Sequence, residues 1–219
     1  VFVHDVVTGA LEWTSPNLES FFGGWSQLTL LRIADFDDDD IGEILVTRPG
    51  SDLLALDLVA GTIDLSTSGI EITALDVADL DADGVQDIVI GTEGGLLQRV
   101  DPETGVATTL GGLYGATIDA VVVASITADE TLDFVVCAAD RVHLIDGATM
   151  GALWVSGDLG SGVGQHDSAI VGDLDWDGRV EIWVNAGLIG HLMFEVVATD
   201  STSQFRRVPH PTRVSPSGP

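Results

Sequence analysis

Lysine is absent from this 219-residue chain. Its eight basic residues are all arginine, set against 35 acids for a formal charge of -27. A field of that sign repels phosphates and anionic headgroups, which argues against nucleic acid and acidic lipid surfaces as partners. Cysteine occurs once, as Cys137, so neither an internal disulfide framework nor a cysteine-based zinc site can form. No run of about 18 residues is free of polar breaks, so no membrane span is expected. The densest apolar stretch, 183–198, is interrupted by Asn185, His191 and Glu195. Glutamate is scarce, with 9 Glu against 26 Asp. Glu suits helices, whereas Asp suits turns, caps and ion sites, and together with 26 glycines this argues against a helical protein. Apolar residues still make up 45% of the chain, enough for a core and too many for a disordered segment. The chain opens at Val1 rather than Met, in what reads as the middle of a strand, and is expected to be processed or part of a longer protein.

What the sequence does contain is a repeat. Asp35, Asp37, Asp39 and Glu43 recur as Asp79, Asp81, Asp83 and Asp87, and again as Asp173, Asp175, Asp177 and Glu181. A worn copy runs from Ser125 to Asp133 and keeps only Asp129 and Asp133 at these spacings. The four segments start 44, 46 and 48 residues apart. Each is followed by a short apolar run (Ile44–Val46, Ile88–Ile90, Phe134–Val136, Ile182–Val184), the pattern of a buried strand. Further on comes an Asp-centred turn leading into an alternating strand, at Asp5, Asp57, Asp101 and Asp146.

Such a unit holds four strands, with the acidic loop between the first two. Four full units are expected over 27–70, 71–115, 116–163 and 164–208. They are preceded by a half-unit and its connection over 1–26. Residues 209–219, rich in Pro and Ser, read as a linker or disordered end. Four-stranded units at this period point to an all-β fold, a β-propeller of four-stranded blades, with a stacked sandwich of hairpins as the other solution. The half-unit suggests a parent propeller with more blades, and open sheet edges that invite self-association.

Carboxylates alternating over five residues, with a fourth returning at the ninth position, repel one another unless a cation joins them. Calcium takes 6–8 oxygens in irregular geometry and suits such a loop. The expected ligands are Asp35, Asp37, Asp39 and Glu43 in the first loop and Asp79, Asp81, Asp83 and Asp87 in the second. In the fourth they are Asp173, Asp175, Asp177 and Glu181. Backbone carbonyls of Ile41, Val85 and Arg179 are expected to contribute, for about three ions in all. Asp129 and Asp133 are weak candidates in a loop expected to bind poorly or not at all. The pattern is not an EF-hand, since the twelfth positions (Val46, Ile90, Val184) fall within strands. Solvated acidic turns on a salt-adapted surface remain the competing explanation, and the residual acidity stays open to it.

These loops, with Phe22-Gly23 and Tyr114-Gly115 opening two units and VIGTEGG after the second loop, resemble the FG-GAP/VCBS repeats of integrin-like β-propellers. The resemblance covers Val1 to about Val208. It implies an extracellular or cell-surface protein with structural calcium on one face and loops on the other that bind partners or glycans. The worn third loop, Glu43 and Glu181 in place of Asp, and the incomplete first unit depart from the family pattern. DVVTGALEW (Asp5–Trp13) and DGATMGALW (Asp146–Trp154) are also similar to the Trp-docking motifs of quinoprotein propellers. Only two units keep that Trp, and packing of Trp13 and Trp154 between blades is the favoured account.

No catalytic constellation is visible. Cys137 follows an apolar run and reads as a buried hydrophobe. His4 and His143 are expected to share a structural slot, whereas His166 lies in a Gly-rich connection and is the one histidine to test for function. Phe21, Phe22 and Trp25 in the longest connection, and Trp176 at the fourth position of its loop, are candidate contact residues. The composite expectation is an extracellular, calcium-binding, non-catalytic module for protein or glycan binding or adhesion. The alternatives are a propeller domain of a larger secreted enzyme, polysaccharide-active or quinone-dependent, or a structural part of a cell-surface assembly.

Overall fold

The computed structural model describes residues 1–18, 30–36, 41–48, 50–111, 114–127, 129, 131–160, 162–164, 168–186, 190–197 and 204–208. Among them there is no helix, and the strands form one two-stranded and four four-stranded antiparallel sheets. The half-blade comprises β1 (Phe2–His4) and β2 (Leu11–Thr14). Blade one holds β3 (Leu30–Ala34), β4 (Glu43–Thr47), β5 (Leu54–Leu56) and β6 (Ile63–Ser66). Blade two holds β7 (Ile72–Ala78), β8 (Asp87–Thr92), β9 (Leu97–Val100) and β10 (Ala107–Gly111). Blade three holds β11 (Ile118–Ala124), β12 (Asp133–Ala138), β13 (Arg141–Ile145) and β14 (Ala152–Val155). Blade four holds β15 (Ala169–Gly172), β16 (Glu181–Asn185), β17 (His191–Val197) and β18 (Gln204–Val208). Each blade is a plain meander, and the chain is a β-propeller array. The tail at 209–219 lies outside the described residues.

The apolar runs become second strands because those strands are covered on both faces. Every residue of β4, β8 and β12 is buried. Fourth strands such as β6 alternate and lie at the blade rim, one side facing water. The core is divided among the blade interfaces. Leu45, Ala55 and Leu65 of blade one meet Leu75, Ile88 and Ile90 of blade two. Val89 and Leu97 meet Val121 and Val136 across the next interface. Val135, Cys137 and Leu144 meet Ile182, Val184 and Phe194 across the last. Truncating such a residue, Leu75→Ala for example, costs about 2–5 kcal/mol. Trp13 packs against the blade-one cluster of Ile44, Val46 and Leu54, and Trp154 lies 5.3 Å from Phe194 between blades three and four. Both tryptophans therefore serve inter-blade packing.

First strands are also joined directly. The Thr73 hydroxyl donates to the Ile118 carbonyl at 2.7 Å. Asp76 accepts from Arg32 at 3.2 Å and from the Val123 N–H at 2.8 Å, so one carboxylate of blade two ties blades one and three. The Asp-centred hairpins share one construction. Asp5, Asp57, Asp101 and Asp146 each accept backbone N–H bonds from the residues two or three ahead. The fifth turn residue is left-handed, as Gly9, Gly61 and Gly105 at φ 70°, 69° and 68°, and as Met150 at 56°. The non-glycine residue there carries about 1–2 kcal/mol of strain.

Candidate metal centre

Each acidic loop spans the first and second strands of its blade, at the same end of all four sheets. Its ninth residue opens the second strand and is buried: Glu43, Asp87, Asp133 and Glu181 are 3%, 4%, 0% and 1% exposed. Each of these carboxylates accepts an N–H from the start of its own loop. Phe36 donates to Glu43 at 3.4 Å, Leu80 to Asp87 at 2.9 Å, Thr127 to Asp133 at 2.8 Å and Leu174 to Glu181 at 2.8 Å. The ninth acid is thus a latch that closes the loop, whether or not the rest of the acidic pattern is kept.

The second and fourth loops add a cap and a cluster. Asp79 accepts from the N–H groups of Asp83 and Gly84, and Asp173 from those of Asp177 and Gly178. Both turns need left-handed backbone at the fourth and sixth positions: Ala82 and Gly84 at φ 59° and 96°, Trp176 and Gly178 at 65° and 86°. The turn brings carboxylate oxygens of Asp79, Asp81 and Asp87 within 4.8 Å of one another, and does the same for Asp173, Asp175 and Glu181. Two acidic clusters able to hold a metal ion are therefore present. The fifth-position acids stand outside these triplets. Asp83 accepts from the Val85 N–H, and Asp177 from the Arg179 N–H.

Electrostatics follow from this crowding. Burial pushes the Asp87 carboxyl up, Asp81 and Asp83 add to it, and the Leu80 N–H and Arg99 oppose it. Burial likewise raises Glu181, with Asp175, Asp177 and Asp173 contributing. At about 4 Å two like charges cost about 1 kcal/mol in water and about 4 kcal/mol at an effective dielectric of 20. A hard cation with a taste for carboxylate oxygen relieves both, and the donor set fits one.

The other two loops differ. In the first, Asp35, Ile41 and Glu43 are described, whereas Asp37 and Asp39 lie outside the described residues. In the third, Asp129 accepts from the N–H and hydroxyl of Thr131, which hold its carboxyl below the usual range. Asp133 accepts from both Thr127 donors and from the Gly147 N–H. These two carboxylates serve local hydrogen bonds and belong to no triplet.

Of the candidate contact residues, Phe21, Phe22, Trp25 and His166 lie outside the described residues. Trp176 is 91% exposed, on the rim of the fourth loop. His4 and His143 do not share a slot. His4 adjoins Asp5 and contacts the Gly9 carbonyl at 3.1 Å, whereas His143 stands three residues before Asp146 and contacts the Ala138 carbonyl at 3.3 Å. His143 also meets Tyr114 edge-on at 5.0 Å, and burial lowers its pKa. Sequence reasoning missed Arg99. Its guanidinium lies 3.2 Å from Asp81 and 2.5 Å from Asp87, beside a groove of about 290 Å³ between blades two and three.

No protein-family model matches the chain, and no curated protein matches it. Solved structures do. Sqt1 of Saccharomyces cerevisiae is 14% identical with a TM-score of 0.62, the match covering 93% of this chain and 53% of that one. The computationally designed protein Ika8 is 17% identical with a TM-score of 0.53, over 94% of this chain and 64% of its own. BBS1N, solved in complex with ARL6DN, is 14% identical with a TM-score of 0.53, over 85% and 58%. The chain thus spans between half and two thirds of these propeller-like proteins, and the likeness shows the fold alone.

Proposed function

We propose that this chain is a calcium-clamped β-propeller module of the FG-GAP/VCBS type, displayed outside the cell, which binds a protein or glycan partner and carries out no chemistry itself. The observation that carries the reading is the recurrence of one carboxylate triplet at the same place in two blades, Asp79–Asp81–Asp87 and Asp173–Asp175–Glu181. The ion is structural. Held by Asp79, Asp81 and Asp87 or by Asp173, Asp175 and Glu181, it would link the loop cap to the latch at the head of the second strand. Calcium would supply the charge that offsets the three carboxylates. The chain's residues supply the cap, the latch and the left-handed turn.

The binding surface belongs to the loops that the clamp makes rigid. Trp176, 91% exposed and flanked by Asp175 and Asp177, is the contact residue the fourth loop offers. The test is thermal unfolding of the full chain in chelator, in 2 mM calcium, and in chelator with NaCl of matched ionic strength. A site of about 0.1 mM dissociation constant adds about 1.8 kcal/mol at 2 mM calcium. Two sites then raise the melting temperature by on the order of 10 °C. An equal rise with NaCl alone overturns the clamp and leaves a salt-adapted surface. Affinity electrophoresis through neutral polysaccharide gels, with Trp176→Ala as control, tests the glycan arm.

A further inference from the structure

The two triplets differ in what faces them. Arg99 on β9 stands opposite Val89 of β8, and its side chain reaches over the second loop. One guanidinium nitrogen lies 3.2 Å from Asp81 Oδ2 and the other 2.5 Å from Asp87 Oδ1. The remaining Asp87 oxygen is taken by the Leu80 N–H at 2.9 Å. In blade four the matching register position, opposite Trp183, is Met193. There the nearby arginine, Arg179, pairs with Glu195. Among the described residues no arginine pairs with Asp173, Asp175 or Glu181. In blades one and three the matching residues are Ala55 and Leu144. The cation at this position is thus peculiar to blade two.

We propose that Arg99 is a tethered counter-ion of the second loop, which competes with calcium for Asp81 and Asp87 and so makes the fourth loop fill before the second. This rests on the calcium reading of the triplets and adds to it a specificity-determining residue. A guanidinium has a fixed, planar fork that satisfies two carboxylates at once and never loses its charge. Because it is carried on the adjacent strand, its effective concentration at the loop is unaffected by the calcium outside. An incoming ion must displace it. The Arg99 side chain has somewhere to go, since it lines the groove between blades two and three together with Leu110, Phe134 and Met150. The apolar stem can lie along that lining while the charged head stays in water. Loop two therefore has two settled states, one closed by arginine and one by metal. In loop four Arg179 feels Asp175 and Asp177 but its guanidinium is paired with Glu195, and among the described residues no arginine bridges the triplet.

The consequence is a split in affinity. Breaking two charge-assisted bonds, one of them to a buried carboxylate, weakens the second site on the order of tenfold relative to the fourth. Calcium titration calorimetry on the full chain reads this directly. For the two described triplets the wild type is expected to show a tighter and a weaker ion. Asp173→Asn removes the tighter one. Arg99→Met, which copies the residue of blade four, strengthens the weaker ion about tenfold so that the two converge. It also lowers the melting temperature in chelator and enlarges the rise on adding calcium. Arg99→Gln, which keeps a polar side chain at this partly exposed position and removes the charge, is expected to strengthen the weaker ion as well and keeps the test valid should Arg99→Met fail to fold. Two ions whose affinities are unmoved by either substitution overturn the role of Arg99 and leave the calcium reading standing. No calcium uptake by the wild type or by Arg99→Met overturns both.

Discussion

The loop between β7 and β8 and the loop between β11 and β12 occupy the same place on neighbouring blades, yet they are closed by different means. In blade two, Asp79 caps the turn, Asp87 latches it, and Asp81 completes a carboxylate triplet bridged by Arg99. In blade three, Ser125 and Thr127 replace the first two acids. Asp133 alone gathers the Thr127 N–H, the Thr127 hydroxyl and the Gly147 N–H. Both loops deliver the following strand into a fully buried position. The pair teaches that the ninth acid is what the fold requires, whereas the other acids are what an ion requires. A blade can lose the second property and keep the first.

That separation can be broken most severely at the latch. Asp133→Ala leaves three part-buried donors without their acceptor, each at about 1 kcal/mol, the low end of the usual cost. The expected loss is about 3 kcal/mol, or on the order of 10 °C in melting temperature, the same in calcium and in chelator. A loss that calcium repairs would mean that the third loop also holds an ion.

The next effect is that of the triplet. Asp175→Asn, which keeps an acceptor for the Asp177 N–H, is expected to cost about 1.8 kcal/mol at 2 mM calcium and little in chelator, read as the gap between two melting curves. Ser125→Asp combined with Thr127→Asp is the reverse experiment, expected to add one ion to the calorimetric count. An unchanged count would show that a triplet of the right residues is insufficient without the left-handed turn.

Proton linkage sharpens the comparison further. The folded-state pKa of Asp87 lies above its ordinary value, so in chelator its contribution to stability is present at acid pH and lost as pH rises through that raised pKa. For Asp129, held low by Thr131, the sign is opposite: its contribution is present above the unfolded pKa and lost as pH falls through the folded one. Asp87→Asn retains an acceptor for Leu80 and should flatten the pH dependence of melting in chelator. An unaltered slope would assign it to the other acids. The smallest effect belongs to Ala82, exposed and left-handed at φ 59°. Ala82→Gly should stabilise by about 0.5 kcal/mol, and a destabilisation in chemical denaturation would show that the turn is not strained there.

The strands and the position of each acidic loop were legible in the sequence because they are local. A period of about 46 residues sets the blades, and continuous apolar runs such as Ile88–Ile90 mark the strands covered on both faces. The triplets were legible in part. Alternation at Asp79 and Asp81 signals convergence, but the same spacing included Asp83, whose carboxylate turns back on the Val85 N–H. Asp79 belongs to the triplet while capping its own turn, so which acids converge depends on φ at Ala82 and Gly84, which residue spacing does not encode. Arg99 was invisible for a different reason. It lies 12 residues beyond Asp87 and reaches the loop only through the β8–β9 register. A cue did exist: with eight cations among 35 acids, an arginine tends to lie where negative potential is densest. His4 and His143 looked equivalent because both precede a hairpin Asp, but their offsets of one and three residues place them at different registers.

Cys137 lies in the contact between blades three and four, fully enclosed in β12. Gly164 backs onto it so tightly that a Cβ there would come within 2.4 Å of the cysteine Cβ. The sole thiol of the chain is therefore sealed while these blades are together and reachable only when they part. Its rate of reaction with an alkylating reagent is a clock for that parting. Run with and without calcium, it would report whether an ion bound at the rim of blade four slows the opening of a seam in the interior.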